Sequence, residues 1–289
     1  RVDRLRPGLV LSDRYRLVRH VASGGMGQVW EALDTTLERA VALKIMHPHT
    51  RDEVALVARF RDEARFAAQL SHPHIVTIHD FLDFEGLAYL VMEFVDGPTL
   101  AGVLAKGPLA PDEVRRLLGQ LSSALAVAHE AGIIHRDIKS ANVLVVDEGA
   151  KLLDFGIARS VDGDSRTMTG EVLGTAHYLS PEQALGQKVG PATDIYSLGV
   201  LAHEMLTSSK PFDRGTPIAT ALAHVKDPPP SLPDGTPADL QAVVSACLVK
   251  EPEQRPTAAL IAYMLTEAVD PDEPDPALEV LPRRAALDD

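Results

Sequence analysis

The apolar positions of this chain change period once along its length. Near the start, short Val-rich runs are cut by turn signals: RYRLVRHV at 14–21, GQVWEALD at 27–34 and RAVALKIM at 39–46. This pattern predicts an antiparallel β meander. Between Arg51 and Leu70 the period becomes helical, with Phe60, Ala64, Ala67 and Leu70 on one stripe. Two more strands are expected near 75–84 and 88–94. After DGPT at 96–99 the chain turns mostly helical, and PDEVRRLLGQLSSALAVAHEAG at 111–132 is its clearest amphipathic helix. The change of class near residue 95 predicts two lobes in an α+β fold: a small antiparallel β lobe with one helix (14–95) and a larger, mostly helical lobe (96–268). Residues 269–289, acidic and Pro-rich with no period, are expected to form a flexible tail or linker.

Composition narrows the function classes. At 289 residues and 45% hydrophobic the chain can fill a sizeable core. A formal charge of -13 argues against a general nucleic-acid binder, because backbone affinity comes from clustered Lys and Arg. The single cysteine, Cys247, lies in the apolar run AVVSACLV and reads as a buried structural thiol in a reducing compartment. No apolar run is long enough for a membrane span and there is no signal peptide, so neither crossing nor export is expected of these residues.

Between the first two strands lies Ala22-Ser23-Gly24-Gly25-Met26-Gly27, where missing Cβ atoms let backbone N–H groups approach an anion. Alone, this reads more readily as a Gly-rich hairpin with no ligand. Val41-Ala42-Leu43-Lys44 shifts the balance, because a lysine among inward-facing apolar residues needs a carboxylate or a phosphate. Glu63, on the helical stripe of Phe60 and Ala67, supplies the carboxylate; its bland alternative is a solvated helix residue.

The most informative segment is His135-Arg136-Asp137-Ile138-Lys139-Ser140-Ala141-Asn142, set between the apolar Ile133-Ile134 and Val143-Leu144-Val145-Val146. Such a loop can seat an Asp to accept a hydroxyl proton, a Lys to neutralise a transferring phosphoryl and an Asn to ligate a metal. Asp154-Phe155-Gly156 follows, with a second carboxylate suited to magnesium.

In this order, the Gly-rich loop, strand lysine, HRDxxxxN and DFG resemble the signature set of protein kinases. The wording GGMGQVW, HRDIKSAN, GTAHYLSPEQALG and DIYSLGV is similar to bacterial Hanks-type Ser/Thr kinases of the actinobacterial receptor type. The resemblance covers about 14–267 and implies transfer of a phosphoryl group from ATP, with Mg2+ or Mn2+, to Ser/Thr hydroxyls of proteins. It implies that Lys44 pairs with Glu63 and holds phosphates, that Asp137 is the base, that Lys139 stabilises the γ-phosphoryl, and that Asn142 and Asp154 hold the metal. Val21, Ala22, Ser23, Gly24, Gly25, Met26, Gly27, Val29, Ala42, Met92, Glu93, Val95 and Leu144 would line the nucleotide site. Within that set the Glu93 and Val95 backbones would meet adenine and Met92 would guard the back of the pocket; Phe155, outside it, would pack between the lobes. The stretch from Asp154 to Glu182 resembles an activation loop, with Thr167 and Thr169 as autophosphorylation sites whose charge Arg136 would meet. Lys139 and Thr175 resemble residues of Ser/Thr-directed members. Glu182 with Arg255 and Asp194 are expected to be structural, Asp194 as the N-cap of DIYSLGVLAHEML and as a tie to the catalytic loop backbone. Ala22 departs from the first loop glycine, and Ser140 from a common proline.

The resemblance also implies a cytoplasmic domain, tethered to a membrane only if a span follows, and a homodimer formed through the small lobe. A pseudokinase scaffold and a small-molecule phosphotransferase are the rival readings; intact Lys44, Asp137 and Asp154 stand against the first, and the long loop ending in Ser180-Pro181-Glu182 against the second. His72 and His74 have no paired metal-ligand spacing and are read as core or surface residues.

Overall fold

Residues 5–24, 27–46, 53–84, 87–153, 155 and 176–266 are described by the computed structural model, with backbone alone at 53–56, 58, 59, 63 and 84. The Val-rich runs form one antiparallel sheet of β1 (Val10–Leu11), β2 (Tyr15–Gly24), β3 (Gly27–Asp34), β4 (Arg39–Met46), β5 (Ile78–Phe84) and β6 (Leu87–Glu93), in the order β1-β2-β3-β4-β6-β5. One face buries Tyr15, Leu17, Trp30, Ala32, Val41 and Leu43 in a cluster with Tyr89 and Val91. The other packs Ala42, Leu90 and Met92 against Phe60 and Ala64 of α1 (Glu53–Ala67). Asp34 at the end of β3 is 1% exposed in its side chain and takes a bidentate pair from Arg14 at 2.8 and 2.7 Å. That guanidinium, with the backbone N–H groups of Thr36 and Leu37, holds the Asp34 carboxyl down at about 2.

The lower part is helical: α2 (Leu100–Leu104), α3 (Pro111–Glu130), α4 (Pro181–Ala184), α5 (Pro191–Thr207), α6 (Pro217–Lys226), α7 (Ala238–Cys247) and α8 (Ala258–Thr266), with a small hairpin of β7 (Val143–Val146) and β8 (Gly149–Leu152). Helix α3 is closed off by Gly132, two residues past its end, whose φ of 77° lets Gly132 and Ile133 return hydrogen bonds to His129 and Ala128. Helix α5 is buried from Thr193 to Leu206. A Cβ on Gly199 would sit 2.6 Å from Cys247 Cβ, so glycine permits the close approach of α5 and α7. Cys247 is buried as expected; burial pushes its thiol up to about 12, which leaves it unreactive at neutral pH.

Two boundaries differ from the sequence reading for a tertiary reason. The strand expected from 75 begins at Ile78, because His74–Val76 pair with the other hairpin: Val76 N donates to Leu152 O at 3.0 Å and Leu152 N to His74 O at 2.9 Å. The helix expected over 51–70 is regular over Glu53–Ala67, and Ala67, Leu70 and Ile75 join the lower core instead of the upper one. Among the described residues no helix is long and apolar enough to cross a membrane.

Candidate active site

The HRDIKSAN segment follows the turn after α3 and ends in a 3-10 turn, Ser140–Asn142, that leads into β7. Its backbone is held from below by Asp194 of α5, which is fully buried. Asp194 Oδ2 accepts from His135 N at 2.8 Å and from His129 Nε2 at 2.7 Å, while Oδ1 accepts from Arg136 N at 2.8 Å. Aiming two consecutive N–H groups at one carboxylate bends the chain, and Arg136 takes φ 67°, a left-handed conformation uncommon for a residue with a Cβ. The expected tie to the catalytic loop is therefore present, but Asp194 is not the N-cap. Gly190 is the cap and Pro191 the first helical residue, so Asp194 lies within the first turn and spends its oxygens on the loop.

The buried His135 ring fixes the next step. Its Nε2 donates to Leu153 O at 2.6 Å, its Nδ1 accepts from Asp137 N at 3.2 Å, and Phe155 packs on it with centroids 4.8 Å apart. Phe155 also faces a small void with Val76, Leu90 and Met92, which is the expected position between the lobes. The three candidate catalytic groups meet above this floor. Lys139 Nζ lies 3.0 Å from Asp137 Oδ2. Asn142 Nδ2 donates to the same Oδ2 at 3.1 Å and to Asp137 O at 2.9 Å. Both amide hydrogens are consumed, which leaves Asn142 Oδ1 as an acceptor, and Asp137 and Lys139 each keep a quarter of their side-chain surface open.

On the small-lobe side, β4 places Ala42 opposite Met92 and Lys44 opposite Leu90 and Val29, so these nucleotide-site candidates share one region of the sheet. Ala22 pairs with Val29 in β2–β3, and Val21 is 45% exposed. Gly27 has a packing reason beyond phosphate approach: a Cβ there would lie 2.0 Å from Ile45 O of β4. Gly24 meets no such obstacle, and Ser23 Oγ is bonded to His20 Nε2 at 2.8 Å. Leu144 of β7 bridges to Thr99 beyond the inter-lobe connection. Glu93 N donates to Thr77 O at 2.8 Å, so an adenine partner on Glu93 would have to be its carbonyl. Gly25, Met26, Asp154, Thr167, Thr169, Thr175 and the Glu63 side chain lie outside the described residues.

The sequence reading missed a buried network beneath the catalytic loop. Ser140 Oγ, in the place of the common proline, is 2.9 Å from Tyr178 OH and donates to Glu204 Oε1 at 3.1 Å. Tyr178 OH and Lys210 Nζ also bond to Glu204. Burial, followed by the charge of Glu204, pushes the Tyr178 hydroxyl well above its ordinary value, so it stays a donor. Ser140 thus makes two contacts that a proline side chain could not. Ser180 was legible and overlooked: with Gln183 three residues on it forms a capping box at α4, Gln183 N donating to Ser180 Oγ at 3.2 Å and Ser180 N to Gln183 Oε1 at 3.0 Å. The Glu182–Arg255 pair forms as expected, at 2.7 and 2.9 Å. Burial opposes charge on Glu182, yet the bonds from Arg255 and Thr193 keep its carboxyl below the ordinary value. The remaining Arg255 N–H groups reach the carbonyls of Val249, Ala192 and Lys250, so all five guanidinium donors are used.

Comparison with known proteins agrees with this geometry. Residues 15–265 match the family model described as protein kinase domain. The chain is 45% identical over 257 residues to serine/threonine-protein kinase PknA of Mycobacterium tuberculosis, covering 86% of this chain and 60% of PknA. It is 43% identical over 256 residues to PknB of the same organism, covering 85% of this chain and 41% of PknB. The chain therefore spans about three-fifths or less of these relatives. A crystal structure of a mutant Mycobacterium tuberculosis PknI kinase domain superposes with a TM-score of 0.70 at 28% identity, covering 91% of this chain and 98% of that one. The order of the motifs, the two-part architecture and a family match over nearly the whole described chain place this protein in the protein kinase domain family, with the kinase fold.

Proposed function

We propose that this chain transfers the γ-phosphoryl group of ATP to serine and threonine hydroxyls of proteins, and that Asp137, Lys139 and Asn142 carry the reaction. The observation that carries this reading is the convergence of these three groups at the mouth of a loop whose backbone is fixed by a buried carboxylate. Asp137 Oδ2 is occupied by Lys139 and Asn142, so Oδ1 is the oxygen that takes the hydroxyl proton as the new O–P bond forms and the bond to the departing ADP breaks. Lys139, beside it, offsets negative charge on the transferring group. Lys44 on β4 holds phosphates in partnership with Glu63, and Ala42, Val29, Val21, Met92 and Leu144 enclose the base.

The donor set suits a hard divalent cation that arrives with the nucleotide. Asn142 Oδ1 is left as an acceptor by the two bonds its amide makes, and the Asp154 carboxylate follows in sequence. Magnesium or manganese held there would neutralise phosphate charge and orient the phosphates. Among the described residues no cluster of His, Cys, Asp and Glu forms a separate metal site.

Division into lobes at 14–95 and 96–268 is supported by separate apolar clusters, with Ala67 to Ile75 shared downward. Thr167 and Thr169 remain the proposed autophosphorylation sites. A small-lobe homodimer is supported by the exposure of Phe66 on α1.

The test is transfer of label from ATP with magnesium to a generic Ser/Thr protein substrate and to the chain itself. Asp137→Asn is expected to lower transfer by at least ~10²-fold with the thermal midpoint kept. Equal transfer by the variant would exclude Asp137 as the base, and no transfer by the parent while ATP still binds would overturn the kinase reading.

A further inference from the structure

A cleft of about 640 Å³ lies where the connection between the lobes, residues 93–98, runs along the β7–β8 hairpin. Gly97 makes that passage close: a Cβ on it would lie 2.7 Å from Val145 O and 2.9 Å from Val146 Cγ1. Val145 and Val146 both line it, and Leu144, the β7 residue assigned to the nucleotide site, does not. The phosphotransfer reading uses only the backbones of Glu93 and Val95 from this lining, and leaves the rest of the cleft without a role.

Its chemistry is one-sided. Phe94, Pro98, Val145 and Val146 give it an apolar floor. Four carboxylates stand around that floor, and the single lysine, Lys151, is bound to one of them, Glu93. Asp96 has only a 3.9 Å approach from Arg19, whose Nε is 2.5 Å from Glu31. Asp147 and Glu148 are exposed and have no ion pair among the described residues. A surface of this kind fits an extended segment with apolar side chains followed by closely spaced cations.

The chain contains such a segment. Residues 267–289 hold only two cations, Arg283 and Arg284, and they directly follow Leu278-Glu279-Val280-Leu281-Pro282. The described chain also ends beside the cleft. Thr266, the last residue of α8, lies against Gly119 of α3, where an added Cβ would be 3.5 Å from Thr266 Cγ2. The next residue, Gln120, holds the β7–β8 turn: its Oε1 accepts from Ala150 N at 2.9 Å and its Nε2 donates to Glu148 O at 3.3 Å. Residues 267–278 can reach about 40 Å when extended, several times the width of the helix and turn to be crossed.

We infer that Leu278–Arg284 of the same chain docks in this cleft, with its apolar residues on the Phe94–Val146 floor and Arg283 and Arg284 against Asp147 and Glu148. Docking would tie the end of the large lobe to the connection between the lobes. It is independent of whether phosphate is transferred.

Hydrogen exchange on the full chain tests it. Amides in 94–97 and 145–151 are expected to exchange roughly five- to tenfold faster when Arg283→Glu and Arg284→Glu are introduced, the effect of about two exposed ion pairs. Protection should return when Asp147→Arg and Glu148→Arg are added to that variant, and helix α5 should exchange alike in all three proteins. Equal exchange at 94–97 and 145–151 in the parent and the Arg→Glu variant would overturn the proposal. Protection that rises with protein concentration would overturn it too, since the tail of a second copy would then be the occupant.

Discussion

The two sides of the candidate active site are built on opposite principles. Below the catalytic loop, buried charged groups are multiply bonded: Asp194 accepts from three groups, Arg255 donates to five acceptors, and Glu204 gathers Ser140, Tyr178 and Lys210. Above it, strand β2 buries only Tyr15 and Leu17, and residues 18–24 are exposed, with irregular pairing to β3 between Leu17 and Arg19 and between His20 and Ala22. A buried carboxylate with fixed donors has one low-energy position, because leaving any member unpaired in a low-dielectric interior is costly. An exposed hairpin has water as an alternative partner for each polar group, so its position is set more by what it covers. The contrast assigns orientation of the reacting groups to the lower side and adjustable nucleotide contact to the upper one.

Breaking the lower side should have the largest effect. Arg255→Ala leaves Glu182 as an uncompensated buried charge and should cost about 3–5 kcal/mol of stability, read from urea unfolding. Glu182→Gln combined with it should restore part of that loss, and simple additivity would show that the pair is not coupled.

An intermediate effect is expected from acid. His224 of α6 is fully buried, accepts from Tyr196 OH at Nδ1 (2.9 Å) and donates from Nε2 to His177 O (3.0 Å). Burial is the main cause that lowers its pKa to about 4. The unfolded chain then binds the proton first, so this contribution is fully present above about pH 6.5 and is lost as pH falls toward 4. Urea midpoints should fall across that window, and His224→Gln should flatten the slope there. Asp34, held at about 2 by Arg14, contributes separately, over about pH 4 down to 2.

The smallest effect should come from the hairpin. Ala22→Gly restores the glycine common at that position at a cost of roughly 0.5–1 kcal/mol in strand stability. It is expected to change KM for ATP with little change in kcat. A drop in kcat as large as that of a lower-side variant would erase the contrast between the two sides.

Much of the site was legible because its residues are local in sequence. Asp137, Lys139 and Asn142 lie within six positions, and a loop between two apolar runs has few ways to orient them. The place of Lys44 among apolar residues of β4 was legible, and the Ser180 cap was open to reading from the Ser-x-x-Gln spacing. His129, Tyr178, Glu204 and Lys210 were not, since each is an unremarkable residue of a helix or turn until another element is placed against it. Asp194 was half legible: its link to the loop followed from resemblance, but the expectation of an N-cap assumed that a helix starts at its first Asp, and Pro191 starts it earlier.

By itself the sequence determined the class of the elements it marked, the change from strands to helices and the order of the chemical groups, because hydrophobic period and turn residues act over a few positions. Tertiary structure alone decided which partners bury the charges, why Ile75 and Val76 leave the upper sheet for Leu152, and why the face behind Val145 became an acidic cleft. Those outcomes depend on contacts between residues 40 to 80 positions apart, whose pairing is fixed only when the elements pack and each buried polar group must find a partner.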